Sequence, residues 1–495
     1  MLAAASDPER LREAGLLAPA VSWAGVARAL HWRDLPISET AIEGLRELLP
    51  GSSLTIGAQG ARTERSRWSP WRFVRETGSS RNPDQLRAVV CATVAARASD
   101  YQHPLLTLSG GLDSSIVAAA LGRGEGAFSA LTLTSGEGRG DERAFARVVA
   151  QHVGVRLYER TYAASAVDLD RSVAAHAPRP TGWIHEHAYR EVLLEVAQEC
   201  RADAIFTRQG GDNIFYNTAS ARPVLDRLYR GDLAGALRAA QAMAAIAETS
   251  LWAVLREAWR VQQQAGRGYR WRPQARFLTA EAIAIAHRGE GSHPWLAAPP
   301  GALPGKSGQI AMLLRLLSHL DTLDRRLGLP VVHPLAAQPV VEHGLGVPSA
   351  AMIEGGRDRA LARQAFRDDL PGLIVDRRGK GSPDGFALRL LEDRLPQVRT
   401  RLLDGRLASR GLVDRRALEA ALQPQALRTG GDRPALLALL DTEAWLAHWD
   451  QPAEPPPAPD RSRAHAAQSA TKSRSSDGGT ASGRSQKSNQ ARLRR

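Results

Sequence analysis

At 495 residues, 43% of them hydrophobic, the chain is long enough for two or three domains with sizeable cores. No run of about 18 apolar residues occurs, which excludes a membrane-spanning helix. Two cysteines, Cys91 and Cys200, are too few for a disulfide framework or a zinc site and fit a reducing cytoplasm. The net charge of +13 raises nucleic acid as a partner, but residues 451–495 hold nine Lys+Arg against three Asp+Glu, so the tail supplies +6 and the rest is mildly basic.

Residues 1–80 mix short helical and strand patterns. Met1-Leu2-Ala3-Ala4 runs at once into Asp7, Glu9 and Arg10, unlike a signal peptide. Pro50-Gly51 marks a turn, Ser53 to Ile56 reads as a strand, and Trp68-Ser69-Pro70-Trp71 closes the segment. Asn82 to Arg97 is predicted as a helix, with Asn82 as cap and Pro83 at its first position.

An apolar run from Leu105 to Leu108 then ends abruptly in Ser109-Gly110-Gly111-Leu112-Asp113-Ser114-Ser115, followed by helix formers from Ile116 to Leu121. The pattern is strand, tight loop, helix N-terminus. Paired glycines let backbone approach a ligand, and serine hydroxyls with free N–H groups make a nest for an anion. A carboxylate beside that nest would repel phosphate unless a cation lies between, so Asp113 implies Mg²⁺.

Ala130 to Leu133 is a second buried strand, and Asp141 is placed to cap a helix from Arg143 to Ala150. Val192 to Cys200 reads as a helix leading to a third apolar strand, Ala204 to Thr207. Arg208-Gln209-Gly210-Gly211-Asp212-Asn213 follows, so strand, glycine loop and acid occur twice. In a parallel sheet both loops would lie at the carboxyl ends of strands, and Asp113 and Asp212 could face one Mg²⁺–pyrophosphate.

Residues 223–330 read as helical. Ser250 caps a helix whose apolar face is assigned Trp252 and Trp259, both expected in the core. Another helix is expected over Gln309 to Leu320. Gly301 to Ser307 fails as a Walker loop, being one residue short between its glycines and carrying Pro304. The chain has four lysines, and Lys380 stands in the flexible loop Arg377-Arg378-Gly379-Lys380-Gly381, from which it could reach a nucleotide. From residue 451 onward the composition cannot bury enough apolar surface to fold.

The loop Ser109 to Ser115 resembles the pyrophosphate-binding loop of the ATP pyrophosphatases related to asparagine synthetase. The Gly210-Gly211-Asp212 phrase resembles their second acidic motif, although Gln209 and Asn213 stand where acids are common. The resemblance implies an α/β fold: a parallel-sheet PP-loop (adenine nucleotide alpha hydrolase-like) synthetase domain over 81–450. Before it comes a reduced, cysteine-less amidotransferase-like segment over 1–80, and after it a disordered basic tail over 451–495. Leu2 stands where glutamine-hydrolysing members carry their cysteine, so glutamine hydrolysis is not expected.

The cofactors implied are ATP and Mg²⁺. Ser109, Gly110, Gly111, Ser114 and Ser115 would bind the pyrophosphate, with Leu133, Gly210 and Gly211 as further nucleotide contacts. Asp113 and Asp212 would bind the metal. Lys380 would stabilise transferring charge, Arg377 would bind anion and Gln209 would hold substrate. Among related activities the chain looks most like the lasso peptide cyclases, through His333-Pro334-Leu335, Gln338-Pro339, Gly356-Arg357-Asp358-Arg359 with Arg363, and Arg377 to Gly381. Such an enzyme adenylates an Asp or Glu side chain of a precursor peptide and joins it to the peptide's own amino terminus. The implied partners are that precursor, a leader-peptide recognition protein and a leader peptidase, with no nucleic acid. Asparagine synthetase using ammonia, a β-lactam synthetase-like ligase, and an inactive nucleotide or RNA binder are the alternatives.

Overall fold

In the computed structural model the described residues are 2–18, 20–74, 81–124, 126–136, 140–289, 291–320, 328–379 and 384–450. An antiparallel pair, β1 (Ser52–Ile56) and β2 (Arg62–Ser66), forms a sheet of its own. The main sheet has five strands, β3 (Pro104–Thr107), β4 (Ser129–Thr134), β5 (Arg156–Thr161), β6 (Ala204–Phe206) and β7 (Val331–Val332). All its pairings are parallel and the order is β5-β4-β3-β6-β7. The α/β class with a parallel sheet is as expected.

The strands are short and apolar because both faces are covered. Leu105, Leu131 and Ile205 point to one face, against Leu193, Val196 and Ala197 of the His187–Glu199 helix. Leu106, Ala130 and Phe206 point to the other, where the Pro83–Ala98, Leu112–Gly122 and Arg143–Val153 helices close the larger core. Pairing of Leu105 with Ile205 and of Leu106 with Phe206 sets β3 and β6 level. The chain winds outward from β3 through β4 to β5, then returns to the other side of β3 to lay down β6 and β7. The sheet therefore reverses its winding between β3 and β6, and sheets of this kind bind ligands at the carboxyl ends flanking such a reversal.

A second core joins the two ends of the described chain. Val26, Ala27, Ala41 and Ile42 are buried together with Leu436, Leu440, Trp445 and Trp449 of the Arg433–Trp449 helix. Two indoles tie the early segment to the later part of the chain: Trp68 Nε1 donates to Glu342 Oε1 at 2.8 Å, and Trp71 Nε1 to the Trp295 carbonyl at 2.9 Å. Residues Met1–Gln451 form one unit of the fold.

Two expectations need correction. Trp252 and Trp259 are 79% and 67% exposed, not core residues. The Leu251–Ala265 helix buries the stripe Val254, Ala258 and Val261, which is narrower than the apolar face assigned from sequence and leaves both indoles off it. The helix expected at Gln309 starts at Pro304, which supplies no N–H and so fits a first turn.

Candidate active site

The loop after β3 is held from within. Gly110 takes φ +68°, and a Cβ there would lie 2.5 Å from Phe145 Cβ, so this turn needs glycine. Ser114 Oγ donates to the Gly111 carbonyl at 3.0 Å, and Ser115 Oγ donates to the same oxygen at 2.8 Å. Both serines are fully buried. Ser109 N donates to Ser114 Oγ at 3.3 Å. Of the three hydroxyls expected at an anion, Ser109 lines the cleft, whereas Ser114 and Ser115 serve the loop's own hydrogen bonds. Asp113 sits in the first turn of the Leu112–Gly122 helix, 3% exposed.

The loop after β6 meets it directly. Thr207 is hydrogen-bonded to His333 Nδ1 at 2.6 Å, which fastens the His333-Pro334-Leu335 phrase behind this loop. Gly211 begins a single helical turn, and a Cβ on it would lie 2.3 Å from Asp113 Cγ. The missing side chain is what lets the two acidic loops touch.

A cation shows where the two carboxylates converge. Arg359 Nη1 donates to Asp212 Oδ1 at 2.8 Å and to both oxygens of Asp113 at 3.2 Å. Burial works against the charge on this guanidinium, but Asp113, Asp212 and Asp358 outweigh it and raise its pKa. Arg359 holds a left-handed backbone (φ +53°), an uncommon state for a residue with a Cβ. Asp358 accepts from Arg359 Nε at 2.7 Å and from Arg363 Nη2 at 2.9 Å, which orients the pair.

The cleft in front of these carboxylates is lined by Ser109, Gly111 and Asp113 on one side and by Arg208, Arg359, Arg363, Arg377, Arg378 and Gly379 on the other. Arg377 donates to the Gly110 carbonyl at 3.3 Å and to Glu142 at 2.7 Å, and lies 3.8 Å over the Phe145 ring. Arg359, Arg363 and Arg377 are paired with Asp113, Asp212, Asp358 and Glu142, and Arg208 and Arg378 leave the mouth with a positive excess suited to phosphate. Leu133 is the last residue but one of the neighbouring β4, half-buried. Gln209 is exposed at the loop tip and does not line the cleft. Lys380 lies outside the described residues, directly after Gly379.

Asp141 accepts from the Arg143 N–H at 3.0 Å and pairs with its guanidinium, while Glu142 takes the cap position. Lys306 is fully buried and donates to Gln309 and to the Val347 carbonyl; burial pushes its pKa down to about 7. It ties the Pro304–Leu317 helix to its neighbours and has no part in a phosphate loop.

Residues 85–449 match the asparagine synthase family, which spans most of the chain. The chain belongs to the asparagine synthase family. Its members form amide bonds at the expense of ATP, and this chain is an ATP-dependent ligase of that broad kind. A search of curated proteins finds no match.

The residues present fit a magnesium–nucleotide pair. Mg²⁺ is usually held by one or two carboxylates with substrate phosphates and water, rather than by an all-protein cage. Among the described residues no cluster of three His, Cys, Asp or Glu could hold a metal ion, whereas Asp113 and Asp212 converge on one cation position. Arg208, Arg359, Arg363 and Arg378 were not assigned to the site from sequence: the phrases that hold them carried the resemblance, but arginine in an arginine-rich chain does not by itself mark a role.

Proposed function

We propose that this family member activates a side-chain carboxylate of a peptide and joins it to the peptide's own amino terminus, as the lasso peptide cyclases do. The observation that carries the reading is the meeting of Asp113 and Asp212 within 3.2 Å of one cation position, beside an arginine-lined cleft. A substrate carboxylate oxygen attacks the α-phosphorus of ATP, the bond to the bridging oxygen breaks, and pyrophosphate leaves. The amine then attacks the acyl carbon, loses a proton to water and expels AMP.

In this scheme Asp113 and Asp212 would hold Mg²⁺, which would supply positive charge for the departing pyrophosphate. Ser109 and the first-turn N–H groups orient its oxygens. Arg208, Arg377 and Arg378 stabilise the spreading charge, with Lys380 serving the intermediate. The partners proposed are a precursor peptide, a leader-peptide recognition protein and a leader peptidase. A substrate larger than an amino acid is favoured by a cavity of about 820 Å³ beginning at Asn213, next to Asp212. Free aspartate, allowing each non-hydrogen atom the ~30 Å³ share of a liquid water, would fill no more than about a third of it.

The test is carboxylate-dependent ATP–pyrophosphate exchange with free aspartate, aspartate plus ammonia, or a leader-free precursor peptide with a free amino terminus. Exchange with the peptide alone, and a product lighter than the peptide by one water, is the expected result. Exchange with free aspartate would assign asparagine synthesis instead.

A further inference from the structure

The large cavity beside Asp212 has walls whose chemistry the activation step does not use. It lies between the Leu251–Ala265 and Pro304–Leu317 helices and the segment around 269–273. Asn217, on its rim, donates from Nδ2 to Asp212 Oδ1 at 2.9 Å, so cavity and acidic site share a wall.

Its charge is one-sided. Five arginines face one carboxylate, Glu257. Glu257 is claimed by Arg260 through two hydrogen bonds of 2.6 and 2.7 Å, and Arg222 donates to the Gly268 and Pro304 carbonyls. Arg270, Arg272 and Arg315 make no direct ion pair with a carboxylate among the described residues, although Arg272 is near enough to Glu257 to help lower its pKa. Arg315 is nonetheless held in place: it lies 4.5 Å over the Trp271 ring and donates to the Tyr269 hydroxyl at 3.1 Å. A planar guanidinium fixed by stacking, with donors to spare, is pre-organised for a carboxylate. The aromatic rings are not platforms for nucleobases, because guanidinium groups already cover them: Arg222 lies over Tyr269 and Arg315 over Trp271.

We propose that this cavity seats the body of an acidic peptide substrate, with Arg270, Arg272 and Arg315 gripping a carboxylate other than the one activated. The inference rests on the peptide-ligase reading and adds the rule by which the peptide is chosen. The activated carboxylate reaches the Asp113–Asp212 end while a second negative charge anchors the peptide in the cavity. The anchor acts on binding and leaves the chemical step alone, so its loss raises KM at constant kcat.

The experiment compares a leader-free precursor peptide with the same peptide in which every carboxylate but the activated one, including the terminus, is an amide. Both are run in exchange with the full-length wild type, R270Q/R272Q, R315Q, R270K/R272K and the control R256Q on the outer face of the helix. We expect neutralising the peptide, or making R270Q/R272Q or R315Q, to raise KM about tenfold or more per lost contact, with kcat within about twofold. The lysine pair should recover part of the loss, and R256Q should match the wild type. Arg270 and Arg272 are exposed, so R270Q/R272Q should melt with the wild type, and its KM reports binding rather than folding. Equal KM for both peptides and all variants would overturn the anchor while leaving the ligase reading intact. No exchange with any peptide would overturn the ligase reading and the anchor with it. Tight binding of a single-stranded oligonucleotide, abolished by R270Q/R272Q, would overturn the peptide assignment in favour of nucleic acid.

Discussion

Gly211 concentrates the site's geometry in one missing atom. Its ideal Cβ would sit 2.3 Å from Asp113 Cγ and 2.7 Å from Asp113 Oδ2, inside the contact that brings the two acidic loops together. Gly211→Ala must push one loop away, and over-packing of this kind costs roughly 1–3 kcal/mol. The larger effect falls on chemistry, because a displacement of about 1 Å in a positioned group can lower the rate about 100-fold. We expect the variant to stay folded, with a melting temperature lowered by a few degrees, and exchange to fall about 100-fold; unchanged exchange would show that the loops need not touch. Asp113, Asp212 and the serine loop were legible in the sequence because their types are rare in combination: glycine pair, then acid, after an apolar strand. Arg359 was not legible. Its role depends on a left-handed turn that carries it from position 359 to two carboxylates far away in sequence, and the Gly356-to-Arg359 phrase marked a resemblance without marking that contact.

The central strands β3, β4 and β6 could be read because burial on both faces makes them nearly continuous apolar runs. The edge strand β5, Arg-Leu-Tyr-Glu-Arg-Thr, carries charged residues on both faces, and β7 has two residues, so neither leaves such a signature. The indoles of the Leu251–Ala265 helix misled for the converse reason: spacing counts apolar residues but not the width of the face that finds a partner. Buried ionisable groups are likewise set by packing between distant elements. Glu186, just before the His187–Glu199 helix, is an example. A fifth of its side-chain surface reaches solvent, yet Oε2 is sealed and lacks a hydrogen bond, with Arg190 at 3.8 Å. Burial raises its pKa to about 7, although Arg190 pulls it down and Asp441 adds to the rise. The folded state thus holds a proton that the unfolded state, with a carboxyl pKa of about 4.3, has released. Between those values the native form binds more protons, so this group's contribution to stability falls as pH rises from about 4.3 to about 7. His185 beside it, pushed down to about 4 by burial, acts with the opposite sign, so the wild-type curve alone will not isolate the effect. The difference in unfolding free energy between E186Q and wild type, read from denaturant titrations at each pH, will. It should grow in favour of E186Q across pH 4.5–7.5, toward about 2 kcal/mol, and a pH-independent difference would show that the carboxyl titrates normally.

The two ends of the chain differ in what they contribute to the whole. The last 45 residues hold +6 of the +13 charge and are too poor in apolar residues to build a core, and the core-forming helix ends at Trp449. The first 80 residues could be taken for an equally separable segment, but their apolar side chains are shared. Val26, Ala27, Ala41 and Ile42 are at most 1% exposed, and they belong to a core whose other members include Phe277, Ala282 and, from the far end of the described chain, Leu436 to Trp449. Removing four such side chains opens that core, each loss worth about 2–4 kcal/mol for the larger ones, against a whole-protein stability of roughly 5–15 kcal/mol. Loss of Trp68 and Trp71 would also leave Glu342 with Gln338 alone as a donor and the Trp295 carbonyl without its indole donor. A chain ending at residue 451 should therefore melt within about 1 °C of the full-length protein and keep its exchange activity, whereas a chain beginning at residue 81 should be insoluble or lack a cooperative transition. Far-ultraviolet circular dichroism melts of the two truncations decide the matter. A cooperative, active chain beginning at 81 would mean that the shared core is an accessory, and that the synthetase domain closes without the segment that precedes it.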